Sequence, residues 1–430
     1  MAETSTGPSS EQLRKRIERV FPDRPFALRF WDGGEVPSTG PGPTLSFRSP
    51  DALGHVLRAP GELGLGRAYV LGEIEVDDLD GVIALLGRWD APKLSAWDKL
   101  GLGLAALRAT GLRRPPKPPA AELRPSRLRH SRRRDAEVVR HHYDVSNEFF
   151  QLFLDESMTY SCALFEEGTE TLEEAQAAKL DLICRKLELE PGQRMLDIGC
   201  GWGSLAIHAA REYGVSAIGI TLSEPQAKLA AERTREAGVG DRVEIKVQDY
   251  RDLEDDGFDA VASIGMVEHV GGSQADEYGR QVARVLRPEG KVLNHGIAWV
   301  PATKEGFHVG GEFSNRYVFP DGEVQNLSRM LLSLERAGLE TLHVEDLHTD
   351  YSETLRHWTA RLDENLEEAE RLAGPERLRV WRLYLRAARN GFETGQTAVY
   401  QMLCSRPLTE DPAAVPTGRT HPEARRRVPA

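Results

Sequence analysis

At 430 residues, with 40% hydrophobic and 28% charged side chains, the chain is long enough for two or three compact domains and too large for one small binding module. It holds no run of about eighteen apolar residues, so no bilayer-spanning helix is expected and a lipid substrate would have to be met from the water side. The formal net charge of −12 disfavours general affinity for nucleic acid.

Residues 1–20 begin MAETSTGPSSEQLRKR, with no apolar core behind the basic residues, and read as a disordered or weakly helical N-terminus rather than a secretory signal. Phe26 to Leu86 alternates short apolar runs with Gly and Pro, as a small α+β domain over 21–95 would. Residues 96–135 read as an amphipathic, basic linker. Within it Leu100 to Leu112 is apolar but too short to cross a membrane, and Arg113 to Arg134 carries nine Lys or Arg against one acid, Glu122. An apolar stretch followed by a basic run on an acidic chain suggests docking to anionic headgroups; a solvated Arg- and Pro-rich linker is the plainer reading. The RRPPKPP segment at Arg113–Pro119 cannot continue a helix, because consecutive prolines remove donors and fix φ.

From 136 to 407 short β-rich runs alternate with helical stretches, the pattern of a doubly wound, Rossmann-like α/β sheet. Strands are predicted at Arg194–Ile198, Val215–Ile220, Val243–Val247, Phe258–Ser263 and Lys291–Ile297, with helices at Ser204–Tyr213, Glu224–Ala237 and Gln274–Leu286. Leu355–Phe392 is rich in helix formers and is expected to supply a helical cover before a last strand near Ala398–Leu403. Residues 408–430 read as a disordered tail. Cys162, Cys184, Cys200 and Cys404 lack CxxC or zinc-ligand spacing, so neither a disulfide framework nor a metal site is expected, and reduced thiols fit a cytoplasmic location.

The sharpest local signal is Met195-Leu196-Asp197-Ile198-Gly199-Cys200-Gly201-Trp202-Gly203, a hydrophobic strand running into a glycine-spaced turn before a helix. The spacing is GxGxG rather than the GxGxxG of a dinucleotide site, and the second strand ends in Thr221-Leu222-Ser223 where a nicotinamide site wants an acid. Gln248-Asp249-Tyr250-Arg251 offers a carboxylate and an aromatic face after the third strand. Together these three loops favour S-adenosylmethionine (SAM), hence a class I SAM-dependent methyltransferase; each loop alone is also an ordinary sheet-end turn.

Outside these loops, several segments resemble the cyclopropane fatty acid synthase family, which includes the mycolic acid cyclopropane synthases. They are His142-Tyr143-Asp144-Val145-Ser146-Asn147, Met158-Thr159-Tyr160-Ser161-Cys162-Ala163, Asp249-Tyr250-Arg251-Asp252, Gly265-Met266-Val267-Glu268-His269-Val270 and Asn294-His295-Gly296-Ile297, followed in order by Tyr317-Val318-Phe319-Pro320 and Asp350-Tyr351. Gly66-Arg67-Ala68-Tyr69 looks like that family's lipid-associated extension. The resemblance implies that Tyr160, Ser161, the loop of Gly199, Gly201 and Gly203 after Asp197, Thr221, Leu222, Gln226, Asp249 and Tyr250 form the SAM site. It also implies a bicarbonate ion serving as catalytic base, held by Cys162, Glu268, His295, Ile297 and Tyr351. Read singly, Glu268 is a helix cap, His295 a core residue and Cys162 a small apolar group.

The implied reaction is methyl transfer to the double bond of an unsaturated fatty acyl chain in phospholipid. An alkene is a poor nucleophile, so it must be held in line with the donor, and the resulting carbocation must be kept from water until a base removes a proton. Two departures from the family's pattern stand out. Ala388 replaces a cysteine found in many members, which excludes a thiol role there. Asp321-Gly322-Glu323-Val324-Gln325-Asn326 replaces Gly-Gly then Leu-Pro, which looks more like the branch making 10-methylene precursors of tuberculostearic acid than like ring closure. The expected partners are an anionic phospholipid surface at the inner face of the membrane, contacted peripherally, and a reductase for the methylene product; a homo-oligomer is left open. The competing readings are an N- or O-methyltransferase of a small metabolite and a non-catalytic lipid-binding protein.

Overall fold

The computed structural model describes residues 9–111, 116–123, 134–135, 138, 145–169, 171–300 and 311–408. The readings made for His142 to Asp144, for Arg132 and Arg133, for most of the basic run and for the tail beyond 408 lie outside them. The chain divides into two compact units: Met1–Pro125 with Lys304–Pro320 and Thr359–Thr394, and Ser126–Thr303 with Asp321–Trp358 and Gly395–Ala430.

The first unit is built on β1 (Ala27–Arg29), β2 (Glu35–Val36), β3 (Thr44–Phe47) and β4 (Ile74–Val76), in the order β2-β1-β3-β4. The β1–β3 pair is parallel and the others antiparallel. Helix Pro50–Arg58 starts where the Ser49 hydroxyl accepts from the Asp51 N–H, and Asp78 caps Leu79–Arg88 in the same manner through Gly81. Leu28, Phe30, Val36, Phe47, Leu53 and Ile74 make the core. Arg67, from the Gly66-Arg67-Ala68-Tyr69 stretch, grips Glu122 with two bonds of 2.6 Å each, and the Tyr317 hydroxyl donates to the same carboxylate at 3.0 Å. Its planar fork matches the carboxylate, which is why so buried a pair holds.

Three expected boundaries change. Residues 11–20 take the helical alternative, and Leu13 joins the core, so this stretch belongs to the first domain rather than lying outside it. Helix Ala96–Ala109, expected as linker, packs Ala105, Ala106 and Ala109 into that core. Thr359–Thr394, expected as part of the methyltransferase domain, groups with the first unit. Arg379 there pairs with Glu75 and Arg386 with Asp80 and Asp363, and Val380 packs with Leu63 and Val70, so the anchoring rests on distant partners that local periodicity does not reveal.

The second unit carries a sheet of β5 (Arg194–Ile198), β6 (Ser216–Thr221), β7 (Val243–Val247), β8 (Phe258–Ile264), β9 (Leu286–Trp299), β10 (Glu340–Asp346) and β11 (Thr397–Ser405), in the order β10-β11-β9-β8-β5-β6-β7. The five predicted strands β5 to β9 run parallel, and β11 enters antiparallel between β9 and β10. Helices Ser204–Tyr213, Glu224–Glu236 and Ala275–Val285 lie within a residue or so of their predicted spans. Strand β10 was not anticipated: Glu340-Thr-Leu-His-Val-Glu-Asp346 is half-buried and charged at both ends, as an edge strand tends to be. The chain order reverses between β5 and β8, which places a ligand crevice at the carboxyl ends of these strands.

Candidate active site

The first half of the site grows from β5. Its last residues turn through Gly199, Gly201 and Gly203, all with positive φ, and Gly203 in the left-handed region caps helix Ser204–Tyr213. An L-residue is disfavoured there. A Cβ placed on Gly201 would meet nothing within 4 Å, so the loop's backbone stands open to a ligand at that point. Beneath it, burial pushes the Asp197 carboxyl up to about 7 and the Lys179 ammonium down to about 8, each group offsetting part of the other's shift.

Lys179 comes from helix Leu172–Lys186, which begins with a capping box between Thr171 and Glu174. Its Nζ donates to the Ser161 hydroxyl at 2.7 Å, and Gln176 from the same helix donates to the Ser161 carbonyl at 2.9 Å. At the end of β6 the Thr221 hydroxyl donates to Gln226 Oε1 at 2.9 Å and accepts from the Ser223 N–H, with Leu222 half-buried between them. After β7, Asp249 is taken up by Arg251, which binds it through its backbone N–H at 2.9 Å and its Nε at 2.8 Å, while the guanidinium also lies 5.5 Å over the buried Tyr250 ring. The aromatic face expected of this loop is present, and its carboxylate already has a cation.

An aromatic wall joins this half to the next. Trp202, held by Asn147 at 2.8 Å, packs on Phe150 at 5.1 Å; Phe150 meets the edge of Tyr160; Tyr160 stacks on Trp358 at 5.2 Å and 29°; and Tyr351 meets Trp358 edge-on at 6.1 Å. Trp358 is buried and its Nε1–H has no hydrogen-bond partner among the described residues. It was missed in the sequence, where it is one aromatic in a helix-forming stretch.

The second half lies at the ends of β8, β9 and β11. Gly296 in β9 admits the close approach of helix Val267–Val270: a Cβ on it would lie 2.3 Å from Val267 Cγ1. The next residue of that helix, Glu268, accepts from the Ile297 N–H through Oε1 at 2.7 Å, whereas Oε2 is buried with no partner among the described residues. Burial raises this carboxyl to about 7 against the Ile297 bond that opposes the shift. His295, two residues earlier and therefore on the same face of β9 as Ile297, is buried, and its Nε2 has no partner among the described residues. Burial holds its imidazole down at about 3, with Lys179 and Lys186 adding to the effect.

Cys162 reaches the same neighbourhood by connectivity. Its thiol donates to the Leu347 carbonyl at 3.6 Å, the Leu347 N–H donates to Val399, and Val399 lies opposite Ile297 in the β9–β11 register. Tyr351 follows one turn after Leu347, whose carbonyl accepts its N–H. Burial raises the Cys162 thiol pKa well above its usual value, so the group is a neutral hydrogen-bond donor and not a nucleophile.

Comparison with known proteins agrees with this architecture. Residues 130–402 match the family described as mycolic acid cyclopropane synthetase. A probable fatty acid methyltransferase of Pseudomonas putida is 40% identical over 90% of this chain and 93% of its own. The cyclopropane-fatty-acyl-phospholipid synthase of Escherichia coli K12 is 36% identical over 84% of this chain and 87% of its own. The solved mycolic acid cyclopropane synthase CmaA1, in complex with SAH and CTAB, superposes with a TM-score of 0.60 at 31% identity, covering 63% of this chain and 98% of that one. With a class I methyltransferase sheet, a glycine turn at its switch point and relatives aligned along nearly its whole length, the chain belongs to the mycolic acid cyclopropane synthetase family of SAM-dependent methyltransferases.

Proposed function

We propose that this enzyme methylates the double bond of an unsaturated fatty acyl chain in membrane phospholipid, with a bicarbonate ion held at Cys162, Glu268, His295, Ile297 and Tyr351. The observation that carries the reading is a pair of buried polar atoms with no partner among the described residues: Oε2 of Glu268, whose other oxygen takes the Ile297 N–H of β9, and Nε2 of His295, two residues before Ile297 on the same strand. Each such atom costs about 1–3 kcal/mol when left unsatisfied, so both call for a polar ligand. An oxyanion bearing one O–H fits them, since it offers a donor to a carboxylate and acceptors to an N–H. When bound, SAM supplies the methyl group and bicarbonate the base that accepts the proton.

The residues of this chain then divide the work. Tyr160, Trp358 and Tyr351 supply aromatic rings whose π faces can stabilise positive charge on the acyl chain without reacting with it. Gln226, Thr221 and Ser161 offer fixed polar groups to the donor, and Tyr250 offers a flat face. Glu268, raised to about 7, is poised to hold or release a proton near neutral pH.

The 10-methylene product is favoured by the departure at Asp321–Asn326, because this loop reaches the backbone of the anion site: the Glu323 N–H donates to the Glu268 carbonyl at 3.1 Å, and the Trp299 N–H donates to the Gln325 carbonyl at 2.8 Å. Such a product calls for a reductase to yield the methyl-branched chain. A peripheral approach to the lipid surface is supported by helix Ala96–Ala109, whose Trp97 is 77% exposed and whose Leu100, Leu104 and Leu107 continue the same exposed stripe at helical spacing. No described helix is long and apolar enough to span a membrane.

The test is incubation of the full chain with methyl-labelled SAM and oleoyl-phosphatidylglycerol vesicles. Label in the acyl chain, with mass spectrometry locating an exocyclic methylene, is the expected result. Label confined to soluble acceptors overturns the lipid reading, and a ring in place of the alkene overturns the methylene assignment alone. Replacing both Trp97 and Leu104 with Ser is expected to weaken vesicle binding about tenfold or more while sparing SAM affinity; unchanged binding removes the helix from the docking surface.

A further inference from the structure

Behind the His295 imidazole lies a hydrogen-bonded chain from Gln401 to Lys186. Gln401 of β11 is fully buried and sits opposite His295 in the β9–β11 register. Its Oε1 accepts from Lys186 Nζ at 2.6 Å, and its Nε2 faces His295 Nδ1 at 3.4 Å. Lys186, at the end of helix Leu172–Lys186, is in turn paired with Glu345 of β10.

The donor and acceptor inventory allows one arrangement. An ammonium has only protons to offer, so the amide atom that meets Lys186 is the oxygen. The amide nitrogen therefore points at His295 and can only donate. A ring nitrogen that receives a donor carries no proton, so Nδ1 is bare. A neutral imidazole holds one N–H, and it must be at Nε2, the atom left without a partner in the site.

We propose that Gln401, oriented by Lys186, is a positioning residue that fixes His295 as the neutral Nε2–H tautomer, so that the imidazole presents a hydrogen-bond donor to an oxyanion in the site. The identity of the acceptor rests on the bicarbonate reading; the tautomer does not. The burial that holds the imidazole down at about 3 keeps a second proton away. With a bare Nε2 the ring would instead turn a lone pair toward an anion, which is repulsive. The sequence separation of 106 residues between partners explains why no motif reveals the arrangement.

Nitrogen-15 NMR of the full chain, with ring-labelled histidine and His295→Asn to assign the signal, reads the tautomer directly. The expected result is a protonated Nε2 and a bare Nδ1 in the parent and in Lys186→Arg, which keeps the donor. Gln401→Glu places an acceptor at Nδ1, so the proton should move there, and affinity for sodium bicarbonate, titrated through the same resonances, should fall at least about tenfold. A parent with the proton on Nδ1, or a Gln401→Glu variant that folds and keeps it on Nε2, overturns the proposal; if that variant does not fold, Lys186→Met, which frees the amide to turn, must mix the two tautomers or the proposal fails. A parent with the expected tautomer whose signals ignore bicarbonate upholds the positioning role and sinks the bicarbonate reading instead.

Discussion

The two halves of the site are built on opposite economies of hydrogen bonding. Around β5, β6 and β7 most polar side chains satisfy one another, Thr221 with Gln226, Asp249 with Arg251 and Ser161 with Lys179, and an exception is Oε1 of Gln176, buried with no partner among the described residues. Around β8, β9 and β11, Glu268 and His295 each keep a buried polar atom with no partner among the described residues, and Trp358 adds another from the aromatic wall. The first half is a preorganised cradle that loses little if its ligand leaves. The second carries a standing cost that only a ligand removes, as expected where charge is handled rather than merely bound.

The sharpest way to break this contrast is Glu268→Gln. Methyl transfer to vesicle lipid should drop by about 100-fold or more, in the range for loss of a positioned acid or base, with SAM affinity by calorimetry unchanged. A variant near the parent rate would show that the unpaired carboxylate is incidental. In the cradle, Gln226→Leu should have the converse signature. It strands the Thr221 hydroxyl, so SAM binding should weaken by about tenfold while the rate at saturating SAM stays close to the parent's; an equal loss in both parameters would erase the division of labour.

A milder perturbation is Gly296→Ala, which forces Val267 away from β9 and takes Glu268 with it. We expect a stability loss of about 1–3 kcal/mol, the usual cost of overpacking, and a rate lower by about tenfold. Unaltered kinetics in a folded variant would mean that the Ile297 bond does not position the carboxylate.

The smallest expected effect concerns stability and pH. The Glu268 and Asp197 carboxyls are both raised to about 7 by burial, so folding favours their protonated forms. Stability from this source is complete below the unfolded carboxyl values, is lost as pH rises toward about 7, and is absent above it. Glu268→Gln removes its share, so the variant should melt a few degrees higher than the parent at pH 8 and with it at pH 4. Equal melting at both pH values would place the carboxylate in water.

Much of the sheet could be read in advance because its signals are local. The glycine turn after β5, the Thr-Leu-Ser end of β6 and the parallel strands are each written within about ten consecutive residues. What escaped depends on distant partners. Lys179, Gln401 and Trp358 acquire roles only through register and packing, and Thr359–Thr394 joins the first unit through ion pairs with Glu75 and Asp80 some three hundred residues earlier. At 11–20 the helical alternative holds, and its place in the first unit's core was not legible because charge dominates the composition while a few apolar positions decide the packing.

The four cysteines, at 162, 184, 200 and 404, fall in the second unit and are all buried. A thiol-specific reagent therefore finds nothing to react with until that unit opens, and the first unit contributes no signal at any stage. Alkylation kinetics would thus time the breathing of the methyltransferase sheet alone, and the slowing produced by added SAM would measure how far donor binding clamps it shut.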